Sequence, residues 1–282
     1  MFISSRQQVL IAGLAMAWMG VSAQADMFTR TTAYGDGADT SFQSNNASTV
    51  YGASTTLRLT NDGSGANRGY AYMRFDLAGV DATTITSATL QFNFNVGGDN
   101  ASPGTFALWG LVDGTAADAR PDSSGWSEAS LNYNNAPARQ LNSSNTINTD
   151  ANAQTGTPAG YGVKLGTIAF SNTSAWFNGN SMSLGSTNAM GSGSGVTFDA
   201  NLAANMLAFL QADTTGVVTF MMRQETSNNR VMNIWSKERF ASTSEGIAPT
   251  LSVVGDAIPE PASLALFGLG SLLIATRRKA GC

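Results

Sequence analysis

The sequence predicts an all-β protein, a jelly-roll-like antiparallel β-sandwich with one short helix, and three observations predict this class. Several stretches alternate apolar and polar residues with a period of two, which is typical of strands with one buried face. The chain contains 30 Gly residues and many Ser, Thr and Asn residues, which suit turns and strands. Charged residues make up 12% of the chain, about half of the usual ~25%, so helix-forming residues are scarce.

The clearest strands are predicted over 70–77 and 89–96. In the first, Met73 and Phe75 share one face while Tyr72 and Arg74 share the other, as expected for one buried and one polar face. Further strands are predicted over 27–34, 56–60, 105–112, 163–170, 217–223, 231–235 and 249–254.

One helix is predicted after Asp199, which can cap it. Leu202, Met206, Phe209 and Leu210 fall on one face at helical spacing, and the helix should end near Gly216. Residues 36–46 are interpreted as a turn-rich loop. The polar stretches 138–163 and 171–195 are interpreted as loop insertions in a single β-sandwich domain, 26–256.

Residues 1–25 are typical of a signal peptide and are predicted to form a signal helix. Arg6 supplies the positive charge, residues 9–19 are apolar, and Ala23 and Ala25 form the cleavage pattern. The mature chain should therefore begin at Asp26, outside the cytoplasm.

Composition excludes several classes of function. There is no histidine, and the single cysteine is Cys282, so Ser-His-Asp catalysis, imidazole metal sites and Cys-based zinc sites are excluded. Residues 26–258 carry 11 Lys and Arg against 18 Asp and Glu, a net charge of −7. An acidic body repels phosphate, so the chain is not expected to bind nucleic acid.

The C-terminal residues 257–282 combine three ordered elements. Pro259, Glu260 and Pro261 precede an apolar run over 264–275, and Arg277, Arg278 and Lys279 follow it. This segment resembles the PEP-CTERM sorting signal of Gram-negative bacteria. The resemblance implies recognition by an exosortase in an organism that makes exopolysaccharide, and delivery to the cell surface, the outer membrane or the extracellular matrix of a biofilm.

The physics of this segment agrees with transient residence in the inner membrane. Its apolar run, predicted to be a hydrophobic transmembrane helix, is shorter than the ~20 residues that comfortably span a bilayer. The basic cluster should stay in the cytoplasm, which leaves the body outside.

The body of the chain resembles the DNRLRE modules, which are similar to family 96 carbohydrate-binding modules. The resemblance lies in Ala38-Asp39-Thr40, Tyr51-Gly52, Leu57-Arg58-Leu59, Arg74-Phe75-Asp76-Leu77, Ser87-Ala88-Thr89-Leu90, Trp126-Ser127-Glu128, Leu131-Asn132-Tyr133-Asn134-Asn135-Ala136-Pro137, Phe198-Asp199, Ser236-Lys237-Glu238 and Pro249-Thr250-Leu251. It implies a secreted, non-catalytic β-sandwich, with some relatives binding acidic polysaccharides such as alginate. The body of this chain is acidic, whereas binding of a uronate polymer would favour a basic cleft.

Candidate carbohydrate-binding residues are Tyr72, Arg74, Trp126, Trp176 and Lys237. A tyrosine or tryptophan ring can stack on a sugar, and an arginine can grip a carboxylate. The alternatives are structural: Arg74 pairs with Asp76 or a neighbouring strand, Tyr72 packs in the second sheet or at its rim, Trp126 plugs one end of the sandwich, and Trp176 pins its own loop. Arg223, Arg230, Lys237 and Arg239 could form a basic patch or a solvated face.

No cofactor is expected. Asp36, Asp39 and Asp62 could offer oxygen ligands to a structural calcium ion, but their spacing matches no known motif, and solvated turn carboxylates are the alternative.

These features together predict an exported, non-catalytic protein that binds extracellular polysaccharide or is embedded in it. One alternative is a structural or adhesive biofilm matrix protein with protein–protein contacts. A weaker alternative is a polysaccharide-degrading enzyme, although no carboxylate pair is marked out by its spacing.

Overall fold

The computed structural model describes residues 25–62, 67–95, 104–113, 125–137, 162–171, 181–190, 195–227, 231–243 and 247–258. Its strands form one curled antiparallel sheet of 13 strands. The strands are β1 (Asp26–Thr31), β2 (Ala38–Gln43), β3 (Thr56–Asn61), β4 (Arg68–Asp76), β5 (Ser87–Asn95), β6 (Gly104–Leu111), β7 (Gly162–Phe170), β8 (Ser181–Gly185), β9 (Ala189–Met190), β10 (Val196–Phe198), β11 (Val217–Gln224), β12 (Val231–Trp235) and β13 (Thr250–Gly255). The helices are α1 (Leu202–Gln211) and α2 (Lys237–Thr243), with short 3-10 turns at Ser44–Asn46 and Ala82–Thr84.

The sheet folds over into two layers. One layer contains β1, β13, β5, β8 and β9, and the other contains β2, β3, β4, β6, β7, β10, β11 and β12. The layers are joined where β12 pairs with β5, with Ile234 opposite Phe94. The predicted all-β sandwich is therefore confirmed.

The main core lies between the layers and is built from the inward face of each strand. Phe75 and Phe220 meet edge to face with their ring centroids 5.9 Å apart, and Phe92 meets Phe94 at 5.4 Å. Each fully buried side chain of this size contributes about 1.5–3 kcal/mol. Helix α1 adds Leu202, Met206 and Leu210 to the core, and this helix was predicted from their spacing.

A second core lies on the opposite face of β4, β6 and β11. Segment 125–137, here called the cover segment, lies over this face. It contributes Trp126, Leu131 and Tyr133, which pack against Phe42, Tyr70, Tyr72 and Trp109. The face of β4 that was predicted to be polar is therefore largely buried, because the cover segment excludes water from it.

Three predictions about the secondary structure are wrong. The expected loop 36–46 contains β2, and all six residues of β2 are buried, so no alternation marks it. The expected insertion 171–195 contains β8 and β9, and β8 pairs with β5. A second helix, α2, follows β12, although one helix was expected.

The predicted cap of α1 is shifted by two residues. Asn201 occupies the cap position, and the Asp199 carboxylate accepts a hydrogen bond of 3.0 Å from the Asn201 backbone N–H. The helix ends at Gln211, before the predicted end near Gly216.

No helix within the described parts of the chain is long and apolar enough to cross a membrane. The predicted cleavage residue Ala23 and the predicted C-terminal helix after Pro259 lie outside the described residues. The division into signal peptide, body and sorting segment stays a prediction.

Candidate functional site

Three arginines project from the outer face of the larger layer, and we call this surface the arginine face. It is defined by Arg58, Arg68 and Arg223. In β3, Leu57 and Leu59 point into the core, so Arg58 points outwards, because successive side chains alternate across a strand. Arg68 begins β4, and Arg223 lies on β11 opposite Tyr70. All three arginines are half-buried.

A polar cavity of about 200 Å³ opens beside Arg68 and Arg223. It is lined by Thr60, Asn61, Arg68, Gly69, Tyr70, Arg223, Gln224, Glu225 and Ser227. Glu225 is the one carboxylate among these lining residues. Its Oε1 atom lies 2.7 Å from Lys164 Nζ and 3.5 Å from Arg223 Nη2. One lysine and one arginine therefore flank this carboxylate. The lining residues include two arginines against one glutamate, so the cavity is locally positive although the body as a whole is acidic.

A second cavity, of about 260 Å³, opens beside Arg58. It is lined by Ser41, Gln43, Tyr51, Ser54, Thr56, Arg58, Val231 and Asn233. Arg58 lies opposite Asn233 in the β3–β12 pairing. Tyr51 is half-buried, so part of its ring is accessible. Arg58 and Thr60 are two residues apart on β3, which places the two cavities along the same side of that strand.

The arginine face is chemically suited to a carboxylate or sulfate group. Arginine stays charged at all physiological pH values and presents planar donors that match a carboxylate. Burial raises the pKa of Tyr70 to about 12, so its phenol stays neutral and keeps its proton. The surface therefore combines permanent cations with neutral hydroxyl and amide groups, which can bind sugar hydroxyls.

Two of the predicted stacking residues are buried instead. Tyr72 is fully buried, and its hydroxyl donates a 2.5 Å hydrogen bond to the Pro137 carbonyl. Trp126 is 2% exposed, and its Nε1 donates to the Thr219 hydroxyl at 3.1 Å. A ring that stacks on a sugar has to reach solvent, so these two residues hold the cover segment in place. Trp176 lies outside the described residues.

The other two predicted residues also hold the cover segment. Arg74 Nε donates to the Asp36 carbonyl at 2.7 Å, and its Nη1 donates to the Trp126 carbonyl. The guanidinium carbon lies 4.7 Å from the centre of the Trp126 ring, a cation–π distance. Burial lowers the pKa of Arg74. Lys237 forms an ion pair with Glu128. A direct role of Arg74 or Lys237 in glycan binding stays a prediction.

The structure does not place the late basic residues in one environment. Arg223 lies on the arginine face, whereas Lys237 lies beside the cover segment and Arg239 packs over Trp235 at 5.4 Å. Arg230 lies outside the described residues. Sequence reasoning did not single out Arg58, Arg68 or Tyr51 as candidates, because their common location depends on strand pairing across the layer.

A group of three carboxylates lies at the edge of the cover segment. Asp39, Glu128 and Glu238 each offer one oxygen within 4.8 Å of the others. The calcium hypothesis had placed Asp39 with Asp36 and Asp62, whereas this group contains only Asp39 of that set. Burial raises the pKa of Asp39 to about 7, and burial also raises the pKa of Glu238.

Comparison with known proteins agrees with the resemblance drawn from the sequence. Residues 30–156 match carbohydrate-binding module family 96, and residues 257–279 match the PEP-CTERM protein-sorting motif. No curated protein matches the chain. The chain therefore carries a match to the PEP-CTERM protein-sorting motif near its C-terminus, and residues 30–156 of its β-sandwich body are similar to the family 96 carbohydrate-binding modules.

Proposed function

We propose that the chain is an exported, non-catalytic protein that binds an acidic extracellular polysaccharide through its arginine face. The observation that carries this proposal is the match of residues 30–156 to a family of carbohydrate-binding modules. Arg58 and Arg68 lie inside that match.

The charges on the arginine face support an acidic ligand. Arg68 and Arg223 line one cavity and Arg58 lines the next, whereas Glu225 is the one carboxylate among all the lining residues. A uronate carboxylate can receive two parallel hydrogen bonds from a single guanidinium group. The acidic charge of the body as a whole therefore does not prevent a local basic surface from binding a uronate polymer.

The shape of the surface supports a polymer. The two cavities lie on one side of β3, so a glycan chain that follows this strand passes Arg58 and then Arg68. Tyr51 adds a partly accessible ring in the first cavity. The ring face can pack against a pyranose, which is the common way in which aromatic side chains contact sugars.

The arrangement of carboxylates supports a binding role without catalysis. Glycoside hydrolysis normally uses two carboxyl groups on either side of the scissile bond. The two cavities of the arginine face have Glu225 alone among their lining residues, and two cations already surround it. The three carboxylates of Asp39, Glu128 and Glu238 lie outside the lining of both cavities, and Asp39 is fully buried.

The sorting motif supports the location of the protein. We propose that an exosortase processes the chain at the inner membrane of a Gram-negative cell, after the signal peptide has directed export. The body then reaches the cell surface, the outer membrane or the matrix of a biofilm. At any of these sites, a polysaccharide-binding surface would hold the protein within the exopolysaccharide.

Affinity gel electrophoresis of the full-length chain, purified in a mild detergent, tests the proposal. The gels contain alginate, a neutral glucan or no glycan. We expect retardation in the alginate gel that weakens as salt is added, because the contacts are between charges. Retardation in the glucan gel alone would overturn the acidic class of ligand. Free migration in every gel, or release of shortened products from alginate, would overturn the proposal as a whole.

A further inference from the structure

We propose a divalent cation site, most suited to calcium, formed by Asp39, Glu128 and Glu238. This site is separate from the arginine face and does not depend on glycan binding. Its three ligands come from distant parts of the chain: β2, the cover segment and the start of α2. A bound ion would tie these three segments together.

The spacing of the carboxylate oxygens fits a single ion. Calcium–oxygen distances are about 2.3–2.6 Å, so two oxygens bound to one calcium ion lie at most about 5 Å apart. One oxygen from each of Asp39, Glu128 and Glu238 falls within 4.8 Å of the other two. The oxygens therefore lie at a spacing that one calcium ion can bridge.

The hydrogen bonds of Asp39 indicate a missing partner. Asp39 is fully buried, and its Oδ2 atom accepts bonds from the Thr32 hydroxyl and the Lys237 backbone N–H. Its Oδ1 atom is buried and has no hydrogen-bond partner among the described residues. A buried carboxylate oxygen left in this state is costly. A cation would satisfy it.

Glu238 has the same feature as Asp39, a buried carboxylate oxygen without a hydrogen bond to any described residue. Its Oε2 atom is also buried without a hydrogen-bond partner in the described parts of the chain. Two carboxylate oxygens of the same group therefore lack hydrogen-bond donors among the residues that the structure describes. This indicates that the group can bind a cation. Oxygen ligands of this kind favour a hard cation such as calcium.

The charge of the group also matches a divalent ion. A cation binds the ionised form of the group, in which the three carboxylates carry a charge of −3 and the Lys237 ammonium, 2.7 Å from Glu128 Oε2, adds +1. The remaining −2 equals the charge that a calcium ion neutralises. Glu128 Oε1 accepts a hydrogen bond from the Asp39 backbone N–H, which orients the carboxylate and leaves lone pairs on both of its oxygens for a further contact.

The test of this site is a calorimetric titration of CaCl₂ into the full-length chain in detergent at neutral pH. The chain is first treated with EDTA. We expect saturable binding of about one ion per chain, with a dissociation constant near the ~0.1–1 mM range of extracellular calcium modules. Glu238→Gln should weaken binding at least about tenfold, because the charge of the ligand set controls calcium affinity. Asp199→Asn, which changes a carboxylate outside the group, should bind calcium as the parent does.

A second measurement guards against a folding defect in the variants. Asp39→Asn alters a buried residue, so circular dichroism first establishes whether this variant is folded. If it is not folded, the comparison of the parent with Glu238→Gln decides, because Glu238 is half-buried. At a fixed calcium concentration, calcium should also raise the melting temperature of the parent chain by more than that of Glu238→Gln. The proposal is overturned by an absence of saturable calcium binding, or by equal affinity in the parent and Glu238→Gln.

Discussion

The Lys237 ammonium lies 2.7 Å from Glu128 Oε2, with both side chains about four-fifths buried. This ion pair joins the start of α2 to the cover segment. Glu128 also accepts a hydrogen bond from the backbone of β2 through its other oxygen. A single carboxylate therefore connects three segments that are far apart in the sequence, and it fixes the edge of the second core.

We expect removal of Glu128 to cost more stability than removal of Lys237. In EDTA, Glu128→Ala deletes both the ion pair and the acceptor of the Asp39 N–H, and it should lower the free energy of unfolding by about 1–3 kcal/mol. Lys237→Ala should lower it by less, since its backbone N–H still binds Asp39. Urea denaturation measures both values. A larger loss for Lys237→Ala would contradict this assignment.

The cover segment depends on Trp126. Trp126→Ala should destabilise the fold by about 3–5 kcal/mol, because it leaves a cavity among buried rings. Trp126→Phe keeps most of the apolar volume but loses the hydrogen bond to Thr219, so its cost should be smaller. Urea denaturation of both variants separates packing from hydrogen bonding. Equal stability of Trp126→Ala and the parent would show that the segment does not cover a core.

Stability should depend on pH through Asp213, at the end of α1. Burial, and then contact with Asp113, raises the pKa of Asp213 above its usual value, although hydrogen bonds from Thr215 oppose the shift. The folded state therefore holds this proton more tightly than the unfolded state does. Asp213 contributes its full stability below the unfolded pKa of about 4, and this contribution is lost as the pH rises through the raised folded value.

Asp213→Asn removes this titration. Its melting temperature should fall less than that of the parent between acidic and neutral pH, as followed by circular dichroism. Asp26→Asn changes an exposed carboxylate at the start of β1, and it controls for the loss of one negative charge. Parallel pH profiles for the parent and Asp213→Asn would refute the effect.

The parts of the fold that follow from local pattern were predictable. The alternation of Met73 and Phe75 with Tyr72 and Arg74 gives β4, and the spacing of Leu202 and Met206 gives α1. Such patterns depend only on which side chains lie on one face of one element. They need no knowledge of what packs against that element.

The parts that depend on long-range pairing were not predictable. β2 contains buried Asp39, whose Oδ2 atom accepts a hydrogen bond from the Lys237 backbone N–H 198 positions away, so polar residues inside this strand looked like a loop. Trp126 and Tyr72 were candidates for glycan binding, with a packing role as the alternative for each, because the local pattern does not show whether an aromatic ring reaches solvent. Only the packing of the cover segment on β4 shows that both are buried.

The arginine face also could not be predicted from local pattern in the sequence. The strand that contains Arg58 was predicted, but the neighbours of Arg58 come from β12 and from the segment that contains Tyr51. Arg68 and Arg223 are brought to one cavity by the pairing of β4 with β11. Residues that share a surface through strand pairing carry no common signal in the sequence.

The most direct test of the central claim is calorimetric titration of alginate into the full-length chain and two arginine variants. Arg58→Ala and Arg68→Ala should each weaken binding by about 10- to 100-fold, the range expected when a charge-assisted hydrogen bond is lost. Arg30→Ala, a matched change on β1 in the other layer, should bind as the parent does. Equal affinity for alginate in the parent, Arg58→Ala and Arg68→Ala would contradict the arginine face as the glycan site.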